Sequence, residues 1–244
     1  MEQTLSRVCV VVGVGPGLGR AAAQRFAKQG FSVALLARSK EKLEAVADSI
    51  SQRGGLPRES LLCVPTNATD PQAMEQSFKT VVERLGHPEV MIYNAGAYKR
   101  GGILDITPET FEQCWKSNCF GGFLAAQQVL PHMLEQKRGT IIFTGATASL
   151  RGAANFSCLS VGKMGLRSLA QSMAREYGPK GVHVAHVIID GQIDNEYQVG
   201  AQPDRPRDSF LSSDAIAKEY WNLHSQDKTT WTHELDLRPY SEKF

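Results

Sequence analysis

Six times along this chain a short apolar run gives way to a segment with helical spacing, and that rhythm leaves few folds open. The runs at 7–14, 31–37 (FSVALLA), 61–65, 89–93, 139–145 (GTIIFTG) and 182–189 (VHVAHVII) are mostly rich in branched apolar residues. They lack strict polar alternation, as suits strands buried on both faces of a parallel sheet. Helical stretches lie between them at 20–29, 40–52, 71–85, 107–135 (one long helix or two) and 156–177. Gly30 and Gly54-Gly55 read as stops, and Asp70-Pro71 and Thr107-Pro108-Glu109 as starts. A helix at 213–225, capped by Ser212 or Ser213, and a strand at 231–237 close the chain. Short joints between alternating elements predict an α/β fold: a doubly wound parallel sheet of about seven strands with helices on both faces. No linker or internal repeat divides it, so residues 1–244 read as one domain. The polar stretch from Asn195, holding Pro203 and Pro206, reads as a surface loop or mobile flap.

Composition then narrows the function classes. Lys and Arg number 27 and Asp and Glu 25, a net charge of +2 with the signs interspersed. That excludes the strong electrostatic footprint of a nucleic-acid binder. No stretch approaches the roughly 18 apolar residues of a membrane span. Met1, Glu2, Gln3 and Thr4 run into the first strand without a signal peptide's basic and apolar regions. Cys9, Cys63, Cys114, Cys119 and Cys158 form no CxxC pattern, and the histidines form no HExxH. His183 and His186, three apart on one strand, face opposite sides. No metal is expected, and the thiols read as reduced ones in a cytoplasmic protein.

The joint after the first strand is Gly13-Val14-Gly15-Pro16-Gly17-Leu18-Gly19. Backbone N–H groups at a helix start bind a diphosphate, and glycines let it come close. The spacing GxGxxG fails at Leu18, but GxxxGxG fits on Gly13, Gly17 and Gly19. A turn that needs only glycine's backbone freedom is the plainer alternative. At the end of the second strand, where a carboxylate would hold the ribose 2′-hydroxyl of NAD(H), the chain has Ala37-Arg38-Ser39. Arg38 suits a 2′-phosphate, which favours NADP(H) over NAD(H).

With these residues the chain resembles the short-chain dehydrogenase/reductase family, from about Arg7 to Leu237. The resemblance rests on Gly13-x-x-x-Gly17-x-Gly19, Asn94-Ala95-Gly96, Asn118-x-x-Gly121, Lys163 and Asp190-Gly191-Gln192-Ile193. It implies a Rossmann-type fold that binds a nicotinamide cofactor and interconverts carbonyls and alcohols of a small-molecule substrate. It further implies that Asn118 holds a water in a proton relay and that Lys163 bonds the nicotinamide ribose. By the same resemblance Asn94, Ala95 and Gly96 lie beside the adenosine ribose, Asn67 and Ala68 near the adenine, and Gly191 and Ile193 against the cofactor. Residues 195–211 would then be the substrate loop. The family also implies a homodimer or homotetramer with isologous contacts. Phe111, Trp115, Phe120, Phe123, Met164 and Met173 are candidates for that interface or for the core, and Trp221, Trp231 and Tyr240 for anchors in the tail.

The departures set the chemistry. Where the family has its catalytic tyrosine and serine, this chain has Leu159 and Ala146. Asp190 replaces a proline, Asn195 a threonine, and Tyr93 an asparagine. The chain therefore resembles a divergent branch with an incomplete catalytic set. Lys163 shares a helix face with Leu159, and desolvation would lower its pKa enough for it to donate a proton. Thr147, one residue past the vacant serine position, could offer an oxyanion-type hydrogen bond, and Tyr98 is the nearest tyrosine on that edge. Ser and Thr hydroxyls at such places also serve turns and caps. Two functions stay open: an NADP(H)-dependent oxidoreductase with a non-standard proton donor, and an inactive NADP(H)-binding sensor or scaffold.

Overall fold

A computed structural model describes residues 7–242; Met1 to Thr4, read above as lacking a leader, lie outside them. Seven strands form one sheet: β1 (Val8–Val12), β2 (Ser32–Ala37), β3 (Leu61–Pro65), β4 (Val90–Tyr93), β5 (Gly139–Thr144), β6 (Val182–Ile189) and β7 (Glu234–Leu237). All pairings are parallel, in the order β3-β2-β1-β4-β5-β6-β7. The helices are α1 (Leu18–Lys28), α2 (Lys40–Gly54), α3 (Pro71–Leu85), α4 (Pro108–Trp115), α5 (Gly121–Gln136), α6 (Ser157–Tyr177), α7 (Glu196–Gly200) and α8 (Ser213–Ser225). This is a Rossmann-type arrangement.

Valines alternate between two cores. Cys9 and Val11 face Phe26, Leu43, Ile50 and Tyr220 from α1, α2 and α8. Val8, Val10 and Val12 face Met74, Phe78, Val129, Leu166 and Met173 from α3, α5 and α6. Burial on both faces explains why the strands read as continuous apolar runs. Met173 is therefore core, whereas Trp115, Phe123, Val161 and Met164 remain 37–45% exposed on α4, α5 and α6. All five cysteines are free thiols, and no helix among the described residues is long and apolar enough to cross a membrane.

Three segments carry detail beyond the sequence reading. The stretch 107–135 is two helices joined by a π-helical turn, Lys116–Phe120. Within that turn the Asn118 side chain donates from Nδ2 to the carbonyl of Cys114 at 2.9 Å, and to that of Ala97 at 2.7 Å. A side-chain amide thus takes the carbonyl that a regular helix would give to the backbone N–H of residue 118. The stretch after Asn195 carries α7, and Arg205 donates to Gln192 at 2.6 Å and to Ser209. The last strand starts at Glu234, because Lys228–Thr230 form a 3-10 turn and Trp231 stacks on His183 at 4.8 Å.

The π turn is braced by Tyr93, whose buried hydroxyl donates to the Ser117 carbonyl at 2.7 Å. Gly121 leaves room for it, since a Cβ there would lie 2.2 Å from Tyr93 Oη. We expect Tyr93→Phe to cost about 1–2 kcal/mol in chemical denaturation, the worth of a buried hydrogen bond whose acceptor is left unpaired. An unchanged midpoint would show that the brace contributes nothing.

Candidate cofactor and active site

The carboxyl ends of β1 and β4 are neighbours, and the chains leaving them build one wall of the site. Gly13 has φ +93°, and its N–H donates to the Leu36 carbonyl at 2.8 Å. A Cβ on Gly13 would sit 2.3 Å from the Ala95 nitrogen. Asn94 Nδ2 closes the joint by donating to the Gly13 carbonyl at 2.9 Å. Gly19 is equally constrained, because a Cβ would lie 2.8 Å from the Gly13 oxygen. Gly15 differs: nothing lies within 4 Å of its Cβ direction. Gly17, which caps α1 without any side-chain bond, has no neighbour closer than Asn195 Cβ at 3.5 Å. Gly13 and Gly19 are thus required by the fold, Gly15 faces open space, and Gly17, at the uncapped start of α1, is in ordinary contact with Asn195.

Beyond this turn lies a cleft of about 330 Å³. Gly13, Gly15 and Arg38 line one side, Asn67 and Ala68 another, and Asn94, Ala95 and Gly96 a third. Arg38 is exposed and makes no ion pair among the described residues. Asn67 Oδ1 accepts from the N–H and hydroxyl of Thr69, which leaves its amide hydrogens unspent. Pro16 and Gly17 line an adjoining hollow with Arg20, Asn195 and Ser213. Leu18 and Gly19 are buried behind the turn. Gly191 packs on Pro239 at φ +151°, and Ile193 bridges to Leu211. Thr66, Gln113 and Ser117 also line the cleft and were not read from the sequence. Gln113 donates to Ser117 at 3.2 Å, one turn apart on a face whose orientation only the fold reveals.

Lys163 is 6% exposed and donates from Nζ to the Thr144 carbonyl at 2.7 Å. Burial lowers its pKa from the ordinary lysine value to about 8. Asn118 is fully buried, and its Oδ1 has no partner among the described residues. A Cβ on Gly96 would stand 2.9 Å from that oxygen and 3.8 Å from Lys163 Nζ. Both polar atoms therefore sit just behind the cleft's lip.

Leu159 is half-buried one helical turn before Lys163, and Ala146 directly precedes the 3-10 turn after β5. The Thr147 hydroxyl is already committed: it donates to Asp190 Oδ1 at 2.5 Å. Asp190 Oδ2 lies 3.4 Å from Arg238 Nη2. This contact across the ends of β5 and β6 went unread, although a carboxylate in place of proline was its signal. Tyr98 is half-exposed and stacks on Phe156 at 5.4 Å, and Asn195 caps α7 by accepting from the Gln198 N–H at 2.9 Å. No metal-binding cluster occurs among the described residues.

The sequence profile of short chain dehydrogenases matches residues 7–204. The chain belongs to the short-chain dehydrogenase family. An uncharacterized oxidoreductase of Staphylococcus aureus USA300 is 28% identical over 98% of this chain and all of its own. The crystal structure of a short-chain dehydrogenase from Rhodopseudomonas palustris is 35% identical, with a TM-score of 0.81 over 96% of this chain and 99% of that one. An alcohol dehydrogenase from Thermococcus sibiricus, complexed with 5-hydroxy-NADP, is 25% identical with a TM-score of 0.85 over 98% of both chains. As a short-chain dehydrogenase, the protein is an oxidoreductase by kinship.

The glycine geometry separates two substitutions in one motif. Gly13→Ala should destabilise the fold by about 3 kcal/mol or more, through strain at positive φ and collision with Ala95. Gly15→Ala should leave the melting temperature within the range of an ordinary surface change. Equal melting temperatures for the two variants would contradict this division.

Proposed function

We propose that this short-chain dehydrogenase is an NADP(H)-dependent oxidoreductase that interconverts a small carbonyl compound and its alcohol, with Lys163 as the proton source. One observation carries the reading: a buried lysine with a pKa near 8 stands behind Gly96 at the lip of the cleft. The residues present fit a dinucleotide, because Gly15 leaves open backbone before the uncapped start of α1 and the cleft beside it is lined by the side-chain amides of Asn67 and Asn94. A bound nicotinamide supplies hydride chemistry. The chain's own task is to hold the reactants and to move a proton. Lys163, charged below about pH 8, can give that proton to a developing alkoxide. Asn118 Oδ1, with its valence open, can receive a hydrogen bond from the ammonium or from a water between them. Losing a tyrosine acid costs roughly 10²–10⁴ in rate, whereas positioning alone contributes about 7–11 kcal/mol. Leu159 is therefore compatible with turnover.

The preference for NADP(H) over NAD(H) rests on Arg38, exposed at the end of β2 with no carboxylate beside it. The NADP analogue in the archaeal relative supports it. Trp115, Phe123, Val161 and Met164 support a homodimer or homotetramer through the α4–α6 face. A second reading, an NADP(H)-binding sensor without turnover, is favoured by Leu159 and by the committed hydroxyl of Thr147. NADPH binding without consumption on any carbonyl would select it.

Arg38→Ala should weaken NADPH binding about tenfold to a hundredfold, the worth of a charge-assisted hydrogen bond, and leave NADH binding unchanged. Fluorescence titration of both cofactors checks this, and equal losses would refute the assignment. Lys163 fixes the pH dependence. Carbonyl reduction needs the charged amine, so its kcat/KM should fall as pH rises through about 8. Alcohol oxidation needs the neutral amine and should rise through the same range. In Lys163→Met both limbs should vanish, with a rate loss of about a hundredfold or more. A profile that keeps its inflection in this variant would rule Lys163 out as the proton source.

A further inference from the structure

We infer that the amino edge of the sheet carries a second binding site, for a small phosphorylated compound with a planar ring, of the nucleoside di- or triphosphate class. The site is a pair of joined hollows. One, of about 320 Å³, is lined by Arg7, Glu89, Arg138, Trp221 and His224. The other, of about 880 Å³, is lined by Leu134, Lys137, Pro179 and Lys180. Gly181, Lys228 and Trp231 line both, so the two are continuous. β5 begins at Gly139 on this wall and ends at Thr144, whose carbonyl receives Lys163, so a strand of about 20 Å separates the site from the cofactor cleft. The backbone is shaped to leave the space. Lys137 holds φ +48°, a conformation rare for a residue with a side chain, and Gly181 lies so close that a Cβ on it would sit 2.3 Å from the Lys137 oxygen. Lys228 Nζ donates to the same carbonyl at 3.4 Å. Gln226 closes the loop that carries Lys228 and Trp231: it accepts from the Thr232 N–H and donates to the Thr232 hydroxyl, both at 2.8 Å.

Charge decides the class of ligand. The linings hold five cations, Arg7, Arg138, Lys137, Lys180 and Lys228, against one carboxylate, Glu89. Cations at this edge also complement the carboxyl ends of α5, α6 and α8, each worth about half a negative charge. Glu176 lies 3.9 Å from Lys180. With all of these counted, positive charge remains in excess. Glu89 accepts from both guanidiniums, and Arg7 is further fixed by His224 Nε2 at 2.9 Å and by the Phe31 ring at 4.1 Å. Arg7 Nη1 and both Nε and Nη1 of Arg138 have no partner among the described residues. Guanidinium groups held in place with N–H groups unspent suit phosphate oxygens. A phosphoryl group also brings up to two charges into a small volume, where a carboxylate brings one. Trp231 stacks on His183 with their planes 2° apart and lines both hollows. An indole set among cations suits a flat base joined to phosphates.

Isothermal titration calorimetry of the full chain with GTP, guanosine and inorganic triphosphate tests this. GTP is the probe because it carries no adenine. GTP should bind, and guanosine and triphosphate should each bind about tenfold more weakly or worse. Lys180→Glu and Lys228→Glu, both at exposed positions, should each weaken GTP about tenfold, and added salt should act in the same direction. Trp231→Leu should bring GTP down to the affinity of triphosphate. Gly15→Glu, which sets a carboxylate at the cofactor cleft, should leave GTP binding unchanged. Thermal melts of each variant separate lost binding from lost folding, and the two lysine variants decide the matter if Trp231→Leu fails to fold. Absence of GTP binding, equal affinity for GTP and triphosphate in the unaltered chain, or binding that is lost in Gly15→Glu and kept in both lysine variants overturns the inference.

Discussion

The site depends on one close approach between two backbones. β1 and β4 lie side by side, but the chain leaving β1 enters α1 and the chain leaving β4 runs toward α4. Their parting opens the cleft, as strand-order reversal does in doubly wound sheets. Gly13 and Ala95 meet there with no room for a side chain, and the Asn94 amide ties the two turns together. The open face over Gly15 and the uncapped start of α1 take their positions from that contact. A polar loop could adopt many shapes; this one is fixed by the impossibility of a Cβ at one residue.

Charge is distributed unevenly between the two edges of the sheet. At the amino edge Glu89 accepts from Arg7 at 3.0 and 3.1 Å and from Arg138 at 2.7 Å, with His224 3.5 Å away. These guanidiniums hold the Glu89 carboxyl below its usual range, and burial lowers His224 to about 4, so the cluster is satisfied near neutrality. At the carboxyl edge Lys163 has only a carbonyl partner, and Asn118 Oδ1 has none among the described residues. Buried polar groups are normally satisfied, and those left open gather where a ligand completes them.

The strands and the glycine turn were legible in the sequence because each depends on local pattern: valine runs for strands buried on both faces, glycine where backbone must approach backbone. Gly13, Gly15 and Arg38 were named from their places after the first two strands, and Asn67 and Asn94 from the family resemblance; all five line the cleft. What escaped depends on side chains meeting across elements. The π turn arises because Asn118 competes for a carbonyl four residues back, and Tyr93 braces it from a strand 24 residues away. No periodicity records either. Thr147 looked like a free donor because its partner, Asp190, lies 43 residues further on. The loop after Asn195 read as a surface loop or mobile flap from its polar composition; what composition did not show is that Arg205 donates to Gln192 and Ser209 while lying over Phe210 at 4.5 Å.

Leu159 also shapes the electrostatics of what remains. A phenol one turn from Lys163 would share a hydrogen-bonded network with the ammonium and bring polarity to its surroundings. A leucine there adds apolar wall, and Lys163 is left with the Thr144 carbonyl and no carboxylate. Burial lowers the pKa of that amine to about 8, near the range where an acid works best. On the proposed reading, Leu159 offers no proton one turn from Lys163, and the buried amine is the group that would give it.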